Sequence, residues 1–301
     1  MSRLIPPVSI ALAVALIAGC GTAASTPSSG PGSPGAESRM QPASASTDRP
    51  AQPARLPSEA GHIHGLTVTP AGDVLIGTHN GTYAVATAGV SKVGQTSDDL
   101  MGFTGAGGRL LASGHPGPAS RQPNPLGLME SRDGGSTWQS LSQVGESDFH
   151  ALTASGSAVY GFDGTLKVSN DGGRTWTDHG AVIAPAVLAA HPRTPTTVLA
   201  TTAEGVQQST DGGRTFRVIG GELVLQTLSW PAAEVLYGVE PSGQIHLSTD
   251  GGRTWSRRSR LPGQPHAFAA ADSRTLAAAT ADGVYLSSDG GATLRQLATA
   301  D

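Results

Sequence analysis

The chain is poor in the features that mark most functional classes. Charged residues make up 14% of its 301 positions, with 19 Lys and Arg against 23 Asp and Glu and a formal net charge of −4. No basic cluster stands out, which argues against a nucleic-acid footprint. Aromatic residues are 4% of the chain. A single cysteine, Cys20, excludes an internal disulfide framework and any multi-cysteine zinc site. The longest apolar run, at Ile10 to Ile17, is too short to span a bilayer comfortably. What the chain has in quantity is glycine, 41 residues, and proline, 21, a composition suited to many short strands and turns.

The first segment reads as an export signal. Arg3, the apolar run and the small residues Ala18 and Gly19 precede Cys20 in the order of a secretory leader. Ile17-Ala18-Gly19-Cys20 resembles a bacterial lipobox, which implies lipidation of Cys20 after removal of residues 1–19. The implied location is the outer face of the cytoplasmic membrane, held by a lipid anchor. From residue 20 to 59 the chain is mainly Ser, Thr, Pro, Ala and Gly, a composition that cannot bury a core and predicts a disordered tether.

Beyond residue 60 one phrase recurs. Ser169-Asn-Asp-Gly-Gly-Arg-Thr-Trp176 is matched at Ser131–Trp138, Ser209–Phe216, Ser248–Trp255 and, in altered form, Ser287–Leu294. Its aspartates, Asp133, Asp171, Asp211, Asp250 and Asp289, are spaced by 38, 40, 39 and 39 residues, a period that marks a repeat architecture. Ser and Asp hydrogen-bond within a tight turn, the glycine pair supplies positive φ, and Thr-Trp starts a strand. The aromatic residue of the phrase is expected to be buried between blades.

Counting back from each phrase divides the chain into four-stranded units at 98–146, 147–183, 184–222, 223–261 and 262–301. Residues 61–97 form a sixth unit, in which Ala86-Thr87-Ala88-Gly89 replaces the phrase. The expected fold is an all-β, six-bladed propeller over 60–301, monomeric, each blade supplying its own four strands A to D. An insertion at 116–125 separates strands B and C of the second blade.

Alignment of the units places histidines in register. The start of strand A carries His64, Met101, His150, Ala186, Gln226 and His266. Two residues earlier stand His62, Asp99, Asp148, Ala184, Val224 and Gln264, and strand B ends at His79, His115, Asp163, Ala203, Glu240 and Ala281. Strand A lines the central channel of a propeller, so both sets open at one mouth, opposite the recurring phrase. Of nine histidines, six share these ring positions. Neutral imidazoles at that density suit a shared cation. The expected ligands are His62, His64, His79, His115 and His150 with Met101 as a soft addition. Asp148, Asp163 and His266 are expected to complete or orient the set, and the 116–125 loop to lie on the same face. Methionine beside histidine favours copper; a carboxylate favours zinc.

The recurring phrase resembles the Asp-box of sialidase-type propellers, and the chain after the tether is similar to bacterial lipoproteins labelled sialidase-like glycosyl hydrolases. That resemblance implies six blades, where assembly-factor propellers with similar boxes have seven. It does not carry a sialidase mechanism. Arg132, Arg174, Arg214 and Arg253 lie in boxes, on the wrong face for a carboxylate clamp. Tyr83, Tyr160, Tyr237 and Tyr285 lie inside strands, and Arg3-Leu4-Ile5-Pro6 falls in the leader. A glycosidase of another type needs two carboxylates across a cleft, for which Asp99, Asp148, Asp163 and Glu240 are the candidates. The alternatives to metal binding are therefore a glycoside hydrolase or glycan-binding protein using the same mouth, and a scaffold for an envelope protein.

Overall fold

The computed structural model describes residues 52–300, except 220 and 222. The leader, Cys20 and most of the expected tether lie outside them. The described chain is a ring of six antiparallel sheets, each with four strands consecutive in sequence. Blade 1 comprises Ile63–Val68, Val74–Thr78, Gly81–Ala86 and Gly89–Val93, and blade 2 Asp99–Ala106, Arg109–His115, Leu128–Ser131 and Gln139–Ser142. Blade 3 comprises Ala151–Ser155, Ala158–Phe162, Leu166–Ser169 and Thr177–Asp178. Blades 4, 5 and 6 begin at Val187, Thr227 and Pro265. The last turn of blade 1 is the two-residue Thr87-Ala88 hairpin, with Ala86 paired to Gly89.

The core is divided among the gaps between blades. Phe103, Leu100 and Met129 of blade 2 meet Leu75 of blade 1, and Phe149 and Leu152 of blade 3 meet Leu111 and Leu128 of blade 2. Equivalent clusters join blades 3 and 4, 4 and 5, and 5 and 6. A sixth joins blade 6 back to blade 1 through Ala277, Val284, Leu297, Ile76 and Tyr83. Strands near the axis crowd one another, and glycine makes room. A Cβ on Gly102 would stand 2.2 Å from the Phe149 carbonyl of the next blade.

Each box closes as its residue types require. The Asp171 carboxylate accepts hydrogen bonds from Ser169 Oγ at 2.8 Å, from the Arg174 and Thr175 amides at 3.0 and 2.9 Å and from Thr175 Oγ1 at 2.6 Å. Gly172 and Gly173 take φ of 81° and 95°. The Gly172 amide donates to the Ser157 carbonyl in the A–B turn, so the boxes lie at the end of the blade opposite the histidines.

Two expectations are corrected. Trp138, Trp176 and Trp255 pack between blades, but each is only half-buried. Trp176 lies 4.8 Å from the Phe149 ring and donates its indole N–H to Ser142 Oγ of blade 2, so it keeps an edge at the rim. The ordered chain also starts before residue 60. Ala54–Arg55 forms a fifth strand on blade 6, parallel to Arg295–Thr299, with Ala54 opposite Ala298. Leu56 and Ala60 follow it into the cluster that closes the ring. The propeller boundary expected at residue 60 therefore moves back to Ala54, and the four strands of blade 6 gain a clasp from the other end of the propeller.

Candidate metal centre

The ring positions are aimed by a backbone irregularity. In blade 1, Ile63 pairs with Thr78 and Gly65 with Gly77, leaving His64 as an extra residue on its strand. In blade 2 the shift falls between Leu100 and Gly102, at Met101, and in blade 6 between Pro265 and Ala267, at His266. A bulge of this kind leaves one residue unpaired and re-aims its side chain. Three successive blades, 6, 1 and 2, thus present His266, His64 and Met101 to the channel, and His150 joins them from blade 3. All four line a cavity of about 240 Å³ on the axis.

Around His64 the side chains converge. His64 Nε2 lies 3.4 Å from His79 Nδ1 and 3.5 Å from Asp99 Oδ1, and His79 Nδ1 lies 2.9 Å from Asp99 Oδ2. One ligand atom from each of His64, His79 and Asp99 falls within 4.8 Å of the others, a group that can hold a metal ion. Asp99 Oδ1 is buried and accepts no hydrogen bond. A bare carboxylate oxygen there is costly unless a cation supplies the missing partner. Burial and then the nearby His79 hold the His64 pKa below its ordinary value, which keeps the imidazole in the neutral form a metal requires.

The other ring residues sort into neighbours and a second group. His62 stacks on His266 with ring centres 5.9 Å apart and lies 5.6 Å from the His79 ring. His115 and His150 do not join His64; both point Nε2 at Asp148 Oδ2, from 3.1 and 2.7 Å. Asp163 lines a groove of about 550 Å³ with His115, Asp148 and His150. Its carboxylate, however, is taken by Lys167. Burial pushes the Asp163 pKa up, but Lys167 and Ser147 outweigh it and hold it low. Glu240 is placed apart, in blade 5, bonded at 2.6 Å to the buried His246. Sequence spacing had left His246 without a partner.

The 116–125 insertion is pinned beside the second group. The Gly117 amide donates to Asp98 Oδ1 at 2.8 Å, His115 Nδ1 and Asn124 Oδ1 lie 2.8 Å apart, and Pro125 lines the groove. Asp99 was legible in sequence as a carboxylate at the right level, but not as a partner of His79. Their contact crosses from blade 1 to blade 2, and only the register between blades reveals it.

The sialidase residues have no counterparts among these groups. Tyr160 and Tyr237 donate their hydroxyls to the Pro195 and Ser273 carbonyls, at 2.6 and 2.7 Å, and serve packing. Arg174 and Arg214 turn back on the carbonyls of Asp171 and Asp211 in their own boxes.

Comparison with known proteins agrees with this architecture. The BNR/Asp-box repeat model matches residues 246–257. A search of curated proteins gave no significant match. Among solved structures, a putative gluconolactonase superposes with TM-score 0.58 at 17% identity, over 79% of this chain and 91% of its own. A GH74 enzyme of Niastella koreensis gives 0.54 at 17%, over 82% of this chain and 46% of its own. YCF48 bound to a D1 peptide gives 0.51 at 17%, over 82% and 85%. This chain therefore spans about half the length of the GH74 enzyme, and at these identities the likeness is one of fold. The chain is a six-bladed propeller that carries Asp-box repeats.

Proposed function

We propose that this Asp-box propeller binds a divalent metal ion at the channel mouth through His64, His79 and Asp99. The observation that carries the reading is the Asp99 carboxylate set against two imidazoles, with His79 Nδ1 on Oδ2 and His64 Nε2 3.5 Å from a buried Oδ1 that accepts no hydrogen bond. Two imidazoles and a carboxylate form a borderline donor set, suited to zinc or divalent copper. The sequence alone favoured copper because of Met101. A carboxylate in the group shifts the preference away from Cu(I), whose natural ligands are soft sulfurs. Met101 lines the same channel as His64 and is the residue that would extend the site toward copper.

The remainder of the proposal concerns place. Lipidation at Cys20 would hold the propeller on the outer face of the cytoplasmic membrane, with the stretch up to Ala54 as spacer. Among the described residues no helix is long and apolar enough to cross a membrane. Replacing Cys20 by Ser should release the protein from the membrane fraction; a variant that stays acylated would overturn the anchor.

The test of the metal site is direct. Protein purified without tag or chelator should bind zinc or copper at micromolar concentration, and His64→Ala with His79→Ala should remove that ion and leave the circular dichroism unchanged. Affinity should fall in acid as His64 protonates, at a pH below the ordinary imidazole value because burial and then His79 lower its pKa. Met101→Leu should weaken Cu(I) far more than zinc. A wild-type protein that binds neither metal refutes the reading. A glycoside hydrolase is the second reading, favoured by the groove in which Glu146, Asp148 and Asp163 meet Phe162. Hydrolysis of a chromogenic glycoside, lost in Asp148→Asn, would establish it.

A further inference from the structure

Sequence order scatters the arginines, and the outer strands of the blades gather them. Strand D of blades 4, 5 and 6 is Arg217–Ile219, Ser256–Arg260 and Arg295–Thr299. These three strands hold Arg217, Arg257, Arg258, Arg260 and Arg295 and no acid. Strand D of blades 1, 2 and 3 holds one lysine, Lys92, and one aspartate, Asp178. Among the described residues from Val187 to Thr299, every Asp and Glu stands outside the strands, in the connections at the ends of the blades. The side wall of this half of the ring therefore carries charge of one sign.

Blade 5 is the densest part of that wall. Arg257, Arg258 and Arg260 are all exposed within one five-residue strand. Among the described residues none of the three guanidinium groups is hydrogen-bonded or ion-paired. Glu240, the acid that feels Arg257, is bonded at 2.6 Å to His246. A sheet edge uses charge to turn away stray pairing, but every other strand D manages with one charged residue at most. The strand is also fixed in place, since the amide and hydroxyl of Ser259 both donate to the Gly291 carbonyl in the blade 6 box, at 2.9 and 2.6 Å. Blade 6 is where the chain enters the propeller. Ala54–Arg55 lies on its outer edge beside Arg295–Thr299, so everything before residue 54, Cys20 included, leaves from the wall next to these arginines.

We propose that the wall of blades 5 and 6 docks on an anionic phospholipid surface, with Arg257, Arg258 and Arg260 against the headgroup phosphates. This rests on the reading of Cys20 as a lipid anchor. An anchor keeps the propeller near the bilayer, and the point of departure of the chain and the sign of the wall together decide which side turns toward it. Guanidinium groups meet phosphate through paired N–H donors. One lipid modification gives stable attachment only with a second signal, for which a basic patch serves. Docked by its side wall, the propeller lies with its channel axis along the membrane, and the histidine mouth opens sideways.

Vesicle sedimentation with the full chain carrying Cys20→Ser reads the wall without an acyl chain. Binding to vesicles of phosphatidylcholine with phosphatidylglycerol should exceed binding to phosphatidylcholine alone, and the excess should shrink as salt rises. Arg257→Gln/Arg258→Gln/Arg260→Gln should weaken the excess about fivefold per charge, about a hundredfold in all, with thermal unfolding unchanged. Arg121→Gln/Arg174→Gln/Arg193→Gln removes three exposed charges elsewhere and should leave most of it. Equal binding to both kinds of vesicle overturns the proposal, as does an excess that survives the blade 5 variant. An equal loss in both triple variants means that net charge acts at a distance and overturns the docking wall. Acylation of Cys20 in the wild type, read by mass spectrometry, tests the anchor separately: its absence removes that reading and leaves the vesicle result to stand or fall alone.

Discussion

At the scale of the residue, the aspartates of the boxes carry the clearest energetic signature. Asp133 is held at about 2, first by the hydroxyl of Thr137, then by the Thr137 amide and the Ser131 hydroxyl. Asp250 is likewise held at about 2, and Asp171, Asp211 and Asp289 are depressed further. A carboxylate whose folded pKa lies below its unfolded value stabilises the fold above the unfolded value, near 3.8. That contribution disappears as pH falls through the folded value. The melting temperature should therefore fall steeply between about pH 4 and pH 2. Asp171→Asn should lower the melting temperature by a few degrees at pH 7 and flatten the acid limb, which calorimetry across that range would check. An acid limb identical in the variant would show that the boxes do not govern acid unfolding.

At the scale of the element, the box aromatic is a rim residue that staples two blades. Trp176 spans the gap between blades 2 and 3 with its ring on Phe149 and its N–H on Ser142, while one side faces solvent. A fully enclosed aromatic costs about 3–5 kcal/mol on truncation to alanine, so Trp176→Ala should cost less, about 2 kcal/mol by urea unfolding. The strands themselves were legible because Asp, Gly-Gly and Trp recur with the period of a blade, and the turn chemistry of each copy fixes where strand C stops. The bulges at His64, Met101 and His266 were not. A one-residue shift of pairing leaves the sequence unmarked, yet it decides which side chain turns to the axis. The division of the histidines was hidden for a related reason. Strand position predicts height along the channel, while the pairing of His79 with Asp99 and of His115 with Asp148 depends on the angle between neighbouring sheets. Ala54–Arg55 was illegible because a two-residue strand in a Ser, Pro and Ala-rich stretch has no pattern, and its partner stands at the far end of the chain.

At the scale of the whole molecule, the proposed metal site would couple ion binding to folding. His64 and His79 come from blade 1 and Asp99 from blade 2, so an ion held by them would bind the folded ring and not the unfolded chain. Zinc at a hundred times its dissociation constant should stabilise the propeller by about 2.7 kcal/mol, read as a rise of several degrees in melting temperature. His64→Ala should remove the rise. A rise of equal size in that variant would place the ion elsewhere.

The clasp at Ala54 also imposes an order in time. Five of the six interfaces join blades that are neighbours in sequence and can pack as soon as the second of each pair exists. The sixth cannot. Leu56, Ile63 and Ile76 lack the blade 6 half of their cluster until Val284 and Leu297 have followed them, and Ala54 waits for Ala298. During synthesis, blade 1 would stand with one apolar face open for almost the whole length of the chain, the state in which strand edges find wrong partners. The interface between the first-made and last-made blades is therefore the one whose formation marks completion of the ring.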